Sequence, residues 1–81
     1  MDKATKEKWR VTTTRLIISI GKQLNIEKND QILMMMCLNN PERVKMFSDW
    51  VRTKTVDNKL QSTPEEVMHI VTLIAKEKPL D

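Results

Sequence analysis

Apolar residues recur at helical spacing in three stretches of this chain and run without a break in a fourth, Ile32-Leu-Met-Met-Met-Cys-Leu38. At 100° per residue, seven consecutive side chains point in every direction around a helix. A helix built this way is expected to be covered on all sides. The stretch is therefore read as the central element of the fold, with the rest of the chain wrapped around it. Seven residues span only about 10 Å as helix, against the roughly 20 apolar residues that a bilayer crossing needs, so the expected cover is protein and no membrane contact is expected.

The first periodic stretch runs from Lys3 to Leu24. With Trp9 as the origin, Thr13, Leu16, Ile17, Ile20 and Leu24 fall within an arc of about 100°, the core stripe of an amphipathic helix. Val11 and Ile18 are aligned on the opposite side, where a simple surface helix leaves them unexplained. Gly21, the only glycine, either admits a close neighbour or weakens the helix there. Asn25 to Asn29 reads as a turn, with Asn25 or Asn29 available to cap the central helix, and Asn39 and Asn40 end that helix.

Asn40-Pro41-Glu42 has an N-cap side chain, a proline at the first helical position and an acid in the first turn, so a third helix is expected from Pro41 to Thr53. Its core stripe is Val44, Phe47, Ser48 and Val51, with Met46 and Trp50 as a second apolar strip. From Thr53 to Ser62 a loop is expected with its turn at Asp57-Asn58; a two-stranded hairpin is the alternative. Thr63-Pro64-Glu65-Glu66 carries the residues of a capping box and opens a last helix with Val67, Ile70, Val71 and Ile74 on one face. Lys76 and Lys78 fall in its expected final turn, and Pro79 ends it. The expected fold is all-α, a compact bundle of about four helices in one domain over residues 1–81.

Eighty-one residues bury roughly 60% of the unfolded surface, which makes a thin core that disulfides, a metal or a partner chain usually supplement. Cys37 is the only cysteine and His69 the only histidine. That excludes an internal disulfide and a four-cysteine metal site, and leaves a partner chain as the expected supplement. The charged start has only Leu16 to Ile18 as an early apolar run, unlike a secretory signal, so a cytoplasmic location is expected. The formal net charge is +3, unevenly spread: residues 1–25 carry six basic and two acidic side chains, and residues 64–81 carry two basic and four acidic. Such asymmetry marks either a nucleic-acid face or helices of a bundle attracting one another.

No constellation for catalysis emerges. His69 lies about 160° from the core stripe of the last helix and has no nucleophile or carboxylate at a telling spacing. Cys37 lies in the apolar run, where burial is expected to leave it unreactive. A single glycine makes no phosphate-binding loop. No enzyme activity, cofactor or metal is expected. Ile20 to Ile26 resembles the first helix and turn of a helix-turn-helix motif, but the following segment is Leu, Met and Cys where a recognition helix must show polar residues to base edges.

Two kinds of surface remain. Val11, Ile18, Met46 and Trp50 lie off the main stripes of their helices, and Met and Trp are enriched at protein contacts, so these four form the expected protein interface; internal burial between bent helices is the competing explanation. Met34 to Met36, with Met46 and Met68, line an adaptable binding surface or fill a core poor in aromatics. Lys6, Arg10 and Arg15 on the first helix, with Arg52, Lys54 and Lys59 further on, offer cations to a phosphate backbone, though Asp2, Glu7, Glu42 and Asp49 are interleaved. The sequence thus points to a small non-enzymatic protein–protein interaction module, regulatory or adaptor in kind, acting as a homodimer or on another protein. The alternative is a small nucleic-acid-binding regulator.

Overall fold

The computed structural model describes residues 3–80; Met1, Asp2 and Asp81 of the expected domain, with the Asp2 charge, lie outside the described residues. The chain is mostly helical and forms one compact globule. In chain order the elements are α1 (Lys3–Leu24), α2 (Lys28–Cys37), α3 (Pro41–Thr53), β1 (Thr55–Val56), β2 (Lys59–Leu60) and α4 (Pro64–Ala75).

The helix starts written most plainly in the sequence form as read. Asn40 caps α3, its Oδ1 accepting from the Arg43 N–H at 2.9 Å, and Thr63 caps α4, its Oγ1 accepting from the Glu66 N–H at 3.1 Å. Pro41 and Pro64 follow in the first turns, where a missing N–H costs nothing. The α4 cap is completed differently from a reciprocal box: the Glu66 carboxylate accepts from the Ser62 hydroxyl.

The start of α2 differs from expectation. Its N-cap position is Glu27, which makes no side-chain cap bond. Asn25 instead ends α1, in a left-handed conformation (φ 56°) that brings the Ile26 N–H to the Gly21 carbonyl at 3.0 Å. That is the six-to-one bond of a Schellman motif, and asparagine is among the residues that tolerate it. α4 ends the same way, at Ala75 and not in a turn holding Lys76 and Lys78. Glu77 adopts φ 58°, its N–H reaches the Ile74 carbonyl, and the Lys78 N–H reaches the Leu73 carbonyl at 2.9 Å. The chain has therefore left the helix before Pro79.

Between α3 and α4 the chain forms the hairpin and not an open loop, with Thr55 opposite Leu60 and Val56 opposite Lys59. Asp57 (φ 51°) and Asn58 (φ 64°) both take the left-handed region required by a two-residue turn of the primed type. The rest of the molecule holds so short a hairpin in place. Leu60 is buried, its N–H donates to the Gln23 side chain on α1 at 2.9 Å, and the Gln61 N–H donates to the Lys54 carbonyl at 2.8 Å.

The core is the meeting of single stripes: Ile17 and Ile20 of α1, Met34 of α2, Val44 and Phe47 of α3, and Val67, Ile70, Val71 and Ile74 of α4, closed by Ile26, Leu38 and Leu60. Thr13 is buried among them, its hydroxyl donating to the Trp9 carbonyl at 2.7 Å, so the one polar group on the α1 stripe is satisfied. Gly21 admits a close neighbour. A Cβ built there would lie 2.5 Å from Nε2 of Gln31, the atom that donates to the Ile26 carbonyl at 2.9 Å. The absent side chain lets an α2 residue lock the α1–α2 connection.

The expectation that the second helix is central and covered all round is not met in this chain. α1 and α4 pack against one side of α2, and Met34 is its only fully buried residue. The physical reason is geometric. The other three helices of an 81-residue chain also have to bury their own stripes against each other, and the residues opposite Met34 have nothing left to face. Cys37, expected in the buried run, is half-buried at the side of the helix.

Candidate functional site

The outward side of α2 is the feature that the packing leaves behind. Taking Met34 as the inward direction, Ile32 and Met36 lie close to the opposite pole, one turn apart, with Leu33 and Met35 on either flank. Their exposures are 52% for Ile32, 46% for Leu33, 36% for Met35 and 67% for Met36. A polar residue at any of these positions would cost the fold little, yet all four are large and apolar. Residues 31–41 include no charged side chain.

Grooves continue this strip on both sides. Met35 and Leu38 line one of them with Trp9, Thr13 and Thr14 of α1, and Lys6 and Arg10 stand at its edge. Leu33 lines the other with Pro64 and Met68 of the α4 end, next to Asp30 and Glu65. The outcome is an apolar centre with a rim of mixed polarity, the usual anatomy of a protein contact.

The residues expected at an interface fall into two groups. Val11, Ile18 and Met46 are exposed. Val11 and Ile18 occupy the outer side of α1, with Arg15 and Lys22 four residues after each. Trp50 is half-buried, packs against the core and stacks on Phe47 with ring centroids 6.1 Å apart and an interplanar angle of 20°. Of the five methionines considered for a binding surface, Met34 is core, Met68 is half-buried, and Met35, Met36 and Met46 are exposed. The sequence places Ile32 and Leu33 in a helix expected to be covered, and not at an interface. The signal that separates them from core is the unbroken run itself, because a helix with no polar side cannot hide all its sides in so small a chain.

The cations also divide. Around α3, Arg43 is committed to the fold: Nη1 donates to the Cys37 carbonyl and to Asn39 Oδ1, both at 3.2 Å, closing the C-terminal end of α2. Lys45 and Arg52 both face Asp49, at 3.0 and 3.8 Å. On α1, Lys6, Arg10 and Arg15 are exposed and, among the described residues, form no ion pair. Lys59 is exposed and Lys54 partly so, on the two strands' side of α3.

His69 is exposed on α4. Among the described residues no three His, Cys, Asp or Glu side chains converge as a metal site would require, and no helix is long and apolar enough to cross a membrane. No protein-family model matches the chain, and neither a curated protein nor a solved structure matches it.

Proposed function

We propose that this chain is a small non-enzymatic interaction module that works by docking against another protein surface, in a regulatory or adaptor role. One observation carries the reading: the outer side of α2 exposes Ile32, Leu33, Met35 and Met36 together, on a segment without charge. Depletion of charge at the centre with methionine enriched is the compositional mark of a contact surface, whereas bulk surface carries Lys and Glu at such positions. Methionine adds adaptability, because its unbranched side chain repacks against differing shapes. Val11, Ile18 and Met46 are secondary contacts in this reading, and Trp50, half-buried and stacked on Phe47, serves the packing of α3 against the core.

The test is site-specific photo-crosslinking in the source cell, with the reactive group placed at Met36 and, as a control, at the exposed His69 of α4. Protein adducts through position 36 that are absent through position 69 are expected. Equal or absent adducts at both positions overturn the reading.

A second reading, nucleic-acid binding, rests on the α1 cations Lys6, Arg10 and Arg15, which have no ion-pair partner among the described residues, with Arg52, Lys54 and Lys59 beyond them. It requires binding that weakens steeply with salt, with a log–log slope near −0.9 for each phosphate neutralised, as is general for duplex DNA. A flat salt response, or no binding at low salt, removes it.

A further inference from the structure

The occupant of the α2 face follows from its charge pattern, in an argument that rests on the interaction reading above. We propose that the face pairs with the same face of a second copy, α2 against α2 across a two-fold axis.

A two-fold contact is self-complementary: each group near the axis meets itself or its near neighbour from the other copy. Any charge there meets its own sign. The chain carries a formal net charge of +3, and α1 shows why this restricts the choice of surface. Around Val11 and Ile18 stand Lys8, Arg15 and Lys22 with Glu7 as the one acid, so doubling that face would crowd three cations from each copy; it suits an acidic partner better than a second copy. The outer side of α2 is different. Ile32 can meet Met36 of another copy, and Leu33 and Met35 their own counterparts on either flank, with no charge among the four side chains, and the uncharged residues extend through Asn39, Asn40 and Pro41.

The area is also in proportion. The four side chains expose on the order of 400 Å² per copy, about half of the ~800 Å² each partner gives to a standard interface. The groove residues on both sides, Trp9 and Thr14 toward α1 and Pro64 and Met68 toward α4, supply the rim that completes it, and the charges of these grooves, Lys6 and Arg10 on one side and Asp30 and Glu65 on the other, stand at its edge. The pairing would also cover the helix on its open side. The second copy is then the missing cover that an unbroken apolar run of seven residues calls for.

The experiment is sedimentation of the purified full chain over a wide concentration range, with three further proteins: Ile32→Lys/Met36→Lys, Ile32→Glu/Met36→Glu, and Val11→Lys/Ile18→Lys. The unaltered chain is expected to dimerise, and the Val11/Ile18 variant to dimerise with it. The Lys pair and the Glu pair are each expected to be monomeric alone, with a dissociation constant raised at least about tenfold and unchanged helical circular dichroism, and to associate when mixed. That rescue by mixing demands that the two positions face each other across the axis, and it shows that both variants are folded. A chain that stays monomeric throughout overturns the self-pairing; adducts at position 36 to a different protein would then leave the interaction reading standing. A dimer that survives both α2 variants places the contact elsewhere and overturns the proposal equally.

Discussion

α2 and α4 are both rich in apolar residues, and the molecule treats them in opposite ways. In α4 the apolar positions Val67, Ile70, Val71 and Ile74 fall three and four apart, so all four point inward and all are buried. In α2 the apolar residues are consecutive, so they cannot share a side, and Met34 alone is buried. α4 is also closed at both ends, by the Thr63 side chain and by the Schellman turn at Glu77, whereas α2 starts on Glu27 without a side-chain cap. Hydrophobicity alone therefore says little about burial; the spacing of apolar residues decides which helix is a wall of the core and which shows an apolar side to the outside.

The sharpest way to break this contrast is to truncate one isoleucine in each helix. Ile74→Ala is expected to destabilise the fold by about 2–4 kcal/mol, through lost transfer energy and the cavity left behind. Ile32→Ala, measured by denaturant unfolding at a concentration low enough to keep the chain monomeric, is expected to change stability by no more than about 0.5 kcal/mol. Equal losses at the two positions would mean that Ile32 is core and the α2 face is not open.

The difference in capping offers a smaller effect of opposite sign in the two helices. Thr63→Ala is expected to cost about 1 kcal/mol, since it leaves the Glu66 N–H without its partner. Glu27→Ser, which supplies α2 with the hydroxyl it lacks, is expected to gain about 0.5–1 kcal/mol in the same unfolding assay. A loss on Glu27→Ser would show that α2 begins elsewhere in solution.

The smallest effect is expected at the other end of α4. Glu77 holds a left-handed conformation that glycine adopts without a Cβ penalty, so Glu77→Gly is expected to stabilise by about 0.5–1 kcal/mol and to raise the melting temperature by a few degrees. A lower melting temperature would mean that the Glu77 side chain contributes more than its backbone conformation costs.

Much of the fold was legible along the chain because helix boundaries are local events. Asn40-Pro41 and Thr63-Pro64 specify two helix starts within four residues each, and the stripe containing Thr13, Ile17 and Ile20 identifies the buried side of α1 from spacing alone. The sequence does not decide between loop and hairpin because two-residue strands are unstable by themselves; the hairpin exists through the burial of Leu60 and its bond to Gln23, a residue of α1 far away along the chain. Gln31 on Gly21 is a contact between consecutive helices, which spacing along either helix does not reveal.

By itself, then, the sequence determined the number of helices, the capped starts of α3 and α4, and the buried stripes of α1, α3 and α4, since each follows from interactions within one or two turns. Tertiary structure alone decided which side of α2 faces inward, that Trp50 lies half-covered on Phe47 while Met46 stands exposed, and that the Arg43 side chain reaches back to the end of α2. An unbroken apolar run has no phase around its helix axis. Only the positions taken up by α1 and α4 could give it an inside and an outside.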